Sequence, residues 1–275
     1  MTAHLSCNNI NYHIVKCLVL FNLINLLVNA GPSINYLRHE ASYSQHGVML
    51  DIHIPLRLVE SLCPFDEAVS ANGQLKKIHD EQIDFTFLHT PHITLYLASF
   101  QQDKIRHLIY TLRQTIPSLD PCSFLMRDTL PYHSGYTIFE IQNSDCLQKM
   151  SDRIVNATSK YIYRPPTIPS WVFDLPEPDK SIKINLSLLY GSPNVFDGFR
   201  PHVTVAFFSN STETQLASIQ KIWGDIGSKF HNKHDKSGGE CQGITQSVAL
   251  GISSIGGSVL KQSLIEFHLP SFNGV

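Results

Sequence analysis

The chain has 275 residues, of which 43% are hydrophobic, and its formal net charge is −2 at pH 7. A chain of this length and composition buries a substantial core, either as one large domain or as two small ones. Because positive and negative charges nearly balance, the surface has no broad basic field to hold an extended nucleic acid through its phosphates. Any nucleotide partner is therefore expected to be short and locally bound.

The first thirty residues have the pattern of a secretory signal peptide. Residues 17–30 are mostly apolar, follow Lys16, and end in the sequence VNA, after which a signal peptidase would cut. The apolar run is too short to span a bilayer. The sequence therefore predicts a secreted or lumenal protein with no membrane span, or a cytoplasmic one if residues 1–30 are instead an N-terminal extension of the domain.

Four cysteines remain after residue 30, and they are Cys63, Cys122, Cys146 and Cys241. Their spacing contains no CxxC pair and therefore no zinc-ribbon signature. An even number of cysteines behind a signal-like leader favours at least one disulfide. Four cysteines allow three pairings, and four separate buried thiols are the alternative.

The first half of the chain alternates strand-like and helix-like patterns. Strands are predicted at 46–56, at 85–97 and, as a pair around a turn at 131–135, within 123–142. Helices are predicted at 68–83, 101–116 and 144–162.

The second half begins with a proline-rich segment, 164–178, whose five prolines predict a loop. Residues 180–190 are ambiguous between helix and strand. After them we predict strands at 200–208, 243–253 and 259–268, and a helix at 212–230. The segment 231–240 is predicted to be a polar connection, so that His231, His234 and Asp235 are interpreted as solvated loop residues and not as a metal site.

Strands and helices thus recur in a similar order in the two halves. This recurrence predicts an α+β fold of two pseudo-symmetric lobes, with two antiparallel sheets facing a central cleft and helices on the outer faces. Residues 31–275 are expected to form this single bilobal domain.

Two short stretches, TPHITLYL at 90–97 and RPHVTVAF at 200–207, repeat a Pro-His-apolar-Thr pattern. Side chains alternate along a strand, so His92 shares a face with Thr94, and His202 shares a face with Thr204. If the lobes face each other, two imidazoles and two hydroxyls converge. One imidazole can then take a proton from water, the other can protonate a departing oxygen, and the hydroxyls can hold phosphoryl oxygens, without a metal or another cofactor.

On these two motifs the sequence resembles the 2H phosphoesterases, a superfamily that includes 2′-5′ RNA ligase-like proteins and cyclic phosphodiesterases, over roughly residues 46–270. The resemblance implies a bilobal fold whose two His-x-Thr motifs line a cleft. It also implies a metal-independent phosphodiesterase that opens a 2′,3′-cyclic phosphate or cleaves a short nucleotide or RNA phosphodiester. The implied catalytic residues are His92, Thr94, His202 and Thr204.

The implied partner is a small nucleotide or an RNA terminus that carries a phosphodiester, and the sequence does not indicate an oligomeric state. Two alternatives stay open. One is a nucleotide or RNA-end binding module of the same fold with little turnover, and the other is a secreted, disulfide-linked interaction protein. The N-terminal leader, the segment 164–178 and the predicted secretion depart from the family pattern and put an intracellular role in RNA processing in doubt.

Further residues are candidates for binding the substrate. In a regular strand Tyr96 and Phe208 lie on the motif faces, where they could stack on a base, although strand aromatics more often belong to the core. Trp171, with its neighbour Phe173, could cover a base from the proline-rich loop. Lys183 and Arg200 could reach a phosphate, and His89 is expected to point away from His92.

Overall fold

The computed structural model describes residues 43–44, 47–57, 62–77, 83–130, 132, 135–208, 212–234, 240–253, 257–260 and 263–270. The predicted signal peptide and Asp235 lie outside these ranges, so the prediction of a signal peptide stays a prediction. The described residues belong to one compact unit, Ala41–Val275. Each helix within them is too short or too polar to span a bilayer.

Strands and helices alternate along the described chain. In order they are β1 Tyr43–Ser44, β2 Gly47–Pro55, α1 Leu62–Leu75, β3 His92–Phe100, α2 Ile105–Thr115, β4 Ser123–Thr129, β5 Tyr136–Ile141, α3 Asp145–Thr158, α4 Asp179–Tyr190, β6 His202–Phe207, α5 Glu213–His234, β7 Cys241–Ile244, β8 Ser247–Ile252 and β9 Ile265–His268.

The strands form two antiparallel sheets. In the first sheet β2 pairs with β1, β3 and β8, and β8 pairs with β9. The second sheet has the strand order β6-β5-β4-β7. The antiparallel sheets and the helices packed on them confirm the predicted α+β class.

Periodicity explains why particular segments form these elements. β2 pairs with β3 on one edge and with β8 on the other, so it is a central strand, and every residue from Leu50 to Pro55 is buried, which means that both of its faces are covered. In α2 the buried residues Ile105, Leu108 and Leu112 recur at helical spacing on one face.

Several predicted boundaries were wrong. The first helix is Leu62–Leu75 and not 68–83, because Pro64 is tolerated within a first helical turn. The strand predicted at 85–97 begins at His92, because the Asp84 side chain accepts hydrogen bonds from the backbone N–H groups of Thr86 and Phe87 and stabilises a turn.

The second half of the chain also differs from the prediction in places. The ambiguous segment 180–190 is a helix, which ends at Gly191 with a left-handed φ of 73°. α5 continues through His234, so the predicted connection 231–240 was wrong for its first four residues. The loop 164–178 contains a 3-10 turn, Ser170–Asp174, that buries Val172. The last segment forms three strands, and β7 joins the second sheet while β8 joins the first.

The described residues include two disulfides. Cys63 in α1 is bonded to Cys241 in β7, and Cys122 is bonded to Cys146 in α3. The prediction of at least one disulfide is therefore confirmed.

The two halves exchange helices. α1 follows β2 of the first sheet but packs on β6 and β7 of the second, whereas α3 follows β5 of the second sheet but packs on β3 of the first. Each strand that carries a Pro-His-apolar-Thr motif is thus backed by a helix from the other half of the chain.

Candidate active site

Both motif strands contain a β-bulge at the same place. On β3, Thr94 pairs with His53 while Tyr96 pairs with Ile52, which leaves Leu95 as the extra residue. On β6, Thr204 pairs with Ile138 while Ala206 pairs with Thr137, which leaves Val205 as the extra residue. The residue after each motif threonine is therefore bulged in both halves.

The bulges change which side chains share a face with the motifs. Directly paired residues lie on the same side of a sheet, so Tyr96, opposite Ile52, lies on the side away from Thr94. Tyr96 is fully buried, and its hydroxyl donates to the carbonyl of Tyr190. The prediction that Tyr96 contacts substrate was therefore wrong, because it assumed an unbroken alternation.

The same shift applies to the second strand. Phe208 is buried, with its ring near Tyr132, and is not exposed on the motif face as predicted. Instead Phe207, which pairs with Tyr136, lies on the side of Thr204. The Tyr136 and Phe207 rings are partly exposed, with centroids 4.5 Å apart, and sequence analysis missed this pair.

Each bulge is also anchored by a buried polar side chain from the exchanged helix. Ser151 in α3 donates from Oγ to the carbonyl of Leu95 at 2.7 Å, and Asn72 in α1 donates from Nδ2 to the carbonyl of Val205 at 2.9 Å. Both donors are buried. A bulge disrupts the hydrogen bonding between neighbouring strands, and the two side chains supply hydrogen bonds to the bulged carbonyls instead. A helix from each half of the chain therefore stabilises the bulge in the motif strand of the other half.

We expect Ser151→Ala to lower the free energy of unfolding by about 1–3 kcal/mol, because it leaves a buried carbonyl without its donor. Ser218→Ala is the matched control, since the Ser218 hydroxyl bonds only within its own helix. Urea unfolding at neutral pH measures both variants. Equal effects of the two substitutions would contradict the anchoring role of Ser151.

The two motif histidines are held in the same way. His92 Nδ1 lies 2.8 Å from the carbonyl of Thr90, and His202 Nδ1 lies 2.8 Å from the carbonyl of Arg200. A carbonyl only accepts, so Nδ1 carries the proton in both rings. In each neutral imidazole Nε2 is then the nitrogen that can accept a proton from a reacting group.

A carboxylate that sequence analysis missed lies beside the first motif. Asp51 on β2 is fully buried; its Oδ2 accepts a hydrogen bond from Thr94 Oγ1 at 2.7 Å and lies 3.6 Å from His92 Nε2. The proton of the Thr94 hydroxyl is thus directed to Asp51. The alternation of β2, which places Asp51 and His53 on one face, is the signal that could have identified them.

His53 completes a buried cluster with Asp51 and His92. Its ring centroid lies 5.0 Å from that of His92, and burial, followed by the charge of His92, lowers the pKa of His53 to about 4. Gly251 on β8 leaves room for the ring, because a Cβ there would lie 3.0 Å from His53 Cε1. His53 is therefore neutral over most of the pH range.

The second motif has no equivalent of this cluster. The positions on β5 that correspond to Asp51 and His53 are Tyr136 and Ile138, which cannot supply a negative charge at neutral pH. His202 is partly exposed, yet the surrounding protein lowers its pKa through desolvation, and the charge of His92 lowers it further. The Arg200 carbonyl and Asp51 act in the opposite direction without reversing the shift.

Residues of β3 lie against residues of β6, so the two motif strands approach each other. His92 is 5% exposed, whereas the side chains of Thr94 and Thr204 are partly exposed. The placement of one phosphoryl group between the two imidazole rings stays a prediction.

The structure also shows the surroundings of two further candidates for substrate binding, Lys183 and Trp171. Lys183 donates to the carbonyls of Pro193 and Gly198 and lies 5.7 Å from the centre of the Trp171 ring, so its ammonium group is already engaged. Trp171 is partly exposed on the 3-10 turn, and its neighbour Phe173 is exposed.

Arg200 is exposed and donates to the carbonyl of Phe199. His89 is fully buried and accepts a hydrogen bond from the backbone N–H of Asp84.

Two cavities lie apart from the motifs. One of about 320 Å³ lies between α1 and α5, and another of about 380 Å³ lies between the end of β4 and α5. Neither is lined by the four motif residues. We assign the candidate site from the chemistry of the motifs, since cavity size alone does not identify a reactive group.

Solved structures similar to this chain include E. coli LigT complexed with 3′-AMP, at 10% sequence identity and a TM-score of 0.42, covering 82% of this chain and 100% of that one. Kluyveromyces marxianus Usb1 has 11% identity and a TM-score of 0.41, covering 78% and 96%. No protein-family model and no curated protein matches the sequence. A likeness of this degree carries no activity or residue role over to this chain.

Proposed function

We propose that the protein is a metal-independent phosphodiesterase that opens 2′,3′-cyclic phosphates or cleaves short nucleotide or RNA phosphodiesters. The observation that carries the proposal is the duplication of one arrangement in both halves: a Pro-His-apolar-Thr strand start, an Nδ1–H bond to the carbonyl two residues earlier, and a bulge after the threonine. Two imidazoles held with Nε2 as the reacting nitrogen suit paired proton transfers at phosphorus.

The different surroundings of the two histidines divide their roles. His202, whose pKa is lowered, is neutral at pH 7 and serves as the base that takes a proton from water. His92, whose Nε2 lies 3.6 Å from the Asp51 carboxylate, serves as the acid. As the water oxygen bonds to phosphorus and the ester P–O bond breaks, His92 transfers this proton to the departing oxygen.

A panel of phosphodiesters tests the function. The purified protein is incubated with 2′,3′-cyclic AMP, 2′,3′-cyclic UMP and a 2′-5′-linked dinucleotide, with and without EDTA. Turnover unchanged by EDTA is the expected result. Loss of turnover in EDTA with rescue by a divalent ion would contradict the metal-independent mechanism, and saturable binding without turnover would support the binding module instead.

The two motif threonines are expected to differ in their effects on activity. The Thr204 hydroxyl has no hydrogen-bond partner among the described residues, so it can donate to a phosphoryl oxygen, and Thr204→Val should lower kcat/KM by about 10- to 10³-fold. The Thr94 hydroxyl donates to Asp51, so Thr94→Val should cost less. Thr204→Ser is the control that should retain activity. A larger loss in Thr94→Val than in Thr204→Val would contradict this division.

A nucleotide-binding module with little turnover is the second candidate. The contact between Asp51 and Thr94 favours it, because the Thr94 hydroxyl that donates to Asp51 is not available to stabilise a phosphoryl oxygen during turnover. The substrate panel distinguishes the two candidates.

We also propose that the protein is secreted or lumenal. Two disulfides support this route, since disulfides persist in oxidising compartments. Intact-mass analysis of protein expressed in a secreting host should show cleavage near Ala30. An uncleaved product confined to the cytosol would contradict the proposal.

A further inference from the structure

The disulfide between Cys63 and Cys241 lies beside a histidine and a carboxylate. His234, the last residue of α5, places Nε2 3.6 Å from Cys63 Sγ, and the ligand atoms of Cys63, His234 and Cys241 all lie within 4.8 Å of one another. Glu67, one helical turn after Cys63, places Oε1 3.1 Å from the same Nε2 atom. Two sulfurs and one imidazole nitrogen therefore converge from three separate elements, and one carboxylate oxygen lies beside the imidazole nitrogen.

Two distances between these atoms, Cys63 Sγ to His234 Nε2 and His234 Nε2 to Glu67 Oε1, are close to the ligand–ligand distances of a tetrahedral zinc site. With zinc bonds of about 2.3 Å to sulfur, about 2.05 Å to nitrogen and about 2.1 Å to oxygen, a tetrahedron has S···N and N···O edges of about 3.5 and 3.4 Å. The corresponding separations here are 3.6 and 3.1 Å. For all four ligands to surround one ion, the two bonded sulfurs would have to separate to about 3.8 Å. The Glu67 carboxylate, which lies outside the three ligand atoms that are within 4.8 Å of one another, would have to turn toward the sulfurs.

The surroundings of the cluster also suit an ion. The side chains of His234 and Glu67 are only 10% and 15% exposed, and Cys241 is buried. Glu67 lines the cavity between α1 and α5, which offers a route from solvent. Two thiolates and one carboxylate around Zn²⁺ carry one net negative charge, and Lys233 Nζ, 2.6 Å from Glu67 Oε1, supplies the balancing positive charge.

We propose that Cys63, Glu67, His234 and Cys241 bind one zinc ion when the Cys63–Cys241 disulfide is reduced. A dithiol reductant transfers two electrons and two protons to the disulfide, giving two thiols while the reductant forms its own disulfide. Zn²⁺ then displaces one proton from each thiol. The link between α1 and β7 is thus covalent under oxidising conditions and metal-mediated under reducing ones. This proposal does not depend on the phosphodiesterase activity.

Cobalt binding tests the site without an activity assay. The full-length protein is reduced with dithiothreitol, freed of the reductant under anaerobic conditions, and titrated with Co²⁺. Reduced wild type should bind one Co²⁺ per chain with the visible absorption of a tetrahedral thiolate site, and Zn²⁺ should displace it. The oxidised protein should show no such absorption. Absence of stoichiometric binding to the reduced wild type would overturn the proposal.

Histidine variants identify the ligand. His234→Ala should weaken Co²⁺ binding by more than about 10-fold, since losing even an outer-shell partner costs 10- to 100-fold. His231→Ala, an exposed histidine on the same helix, is the matched control and should bind as wild type does. Equal affinities of the two variants would exclude His234 as a ligand and overturn the four-residue site.

The second disulfide supplies an internal control that needs no variant. Within the described residues, Cys122 and Cys146 belong to no cluster of three or more potential ligands. In the reduced protein, adding Zn²⁺ should therefore lower the alkylation of Cys63 and Cys241 and leave that of Cys122 and Cys146 unchanged, as peptide mass spectrometry with and without Zn²⁺ would show. Equal protection of both pairs, or of neither, would contradict a specific site.

Discussion

His92→Ala and His202→Ala are each expected to lower the rate of cyclic-phosphate opening by roughly 10²- to 10⁴-fold, because each removes one proton-transfer path. The double variant should be far less impaired than the product of the two single losses. Once one proton transfer has failed, removing the second histidine slows the same reaction step only a little further. His107→Ala, an exposed histidine on α2, is the control and should retain wild-type activity.

The pH profile distinguishes the two histidines. If His202 is the base, its lowered pKa places the acidic limb of kcat/KM below the ordinary histidine value of about 6.5. This limb should disappear from the residual activity of His202→Ala and persist in His92→Ala. Near wild-type turnover in either single variant would exclude the paired mechanism, and the reverse pattern of limbs would exchange the two roles.

His53 is expected to make the folded protein sensitive to acid. Its pKa is about 4 when folded, against about 6.5 when unfolded, so as pH falls the unfolded chain takes up the proton first. The free energy of unfolding should therefore fall as pH drops through 6.5, with the loss complete below about pH 4. At pH 4.5 the contribution of this residue to the loss should be about 2–3 kcal/mol.

His53→Gln should remove this part of the pH dependence. Urea unfolding at pH 7.5 and 4.5 gives the difference for wild type, for His53→Gln and for His107→Gln, the exposed control. The variant at position 53 should lose about 2–3 kcal/mol less than wild type between the two pH values, whereas the control should lose the same as wild type. An unchanged pH dependence in His53→Gln would show that the buried imidazole titrates near its ordinary value.

The sequence alone predicted the fold class and the motif pairs because those depend on local patterns. Alternation along the strands placed each histidine with its threonine, and helical spacing in α2 predicted its buried face. Repetition of Pro-His-apolar-Thr at equivalent places indicated two related halves. These features lie within a few residues of one another, where chain geometry alone determines which side chains share a face.

The substrate-binding aromatic residues were predicted wrongly because the sequence does not show which strands pair. The expectation that Tyr96 and Phe208 share the motif faces assumed regular alternation, and a bulge cannot be inferred without the partner strand. The two consecutive buried apolar residues that follow each motif threonine, Leu95-Tyr96 and Val205-Ala206, reveal the bulges only once burial is known.

Tertiary structure decided the rest of the site. Asp51 and His53 lie about forty residues before the first motif and reach it only because β2 pairs with β3. Ser151 and Asn72 reach the bulges because the two halves exchange helices. Cys63, Glu67, His234 and Cys241 come together from α1, α5 and β7. The sequence by itself determined the reactive groups and their local faces, while long-range pairing and packing determined which charges and donors surround them, because those contacts join residues far apart in the chain.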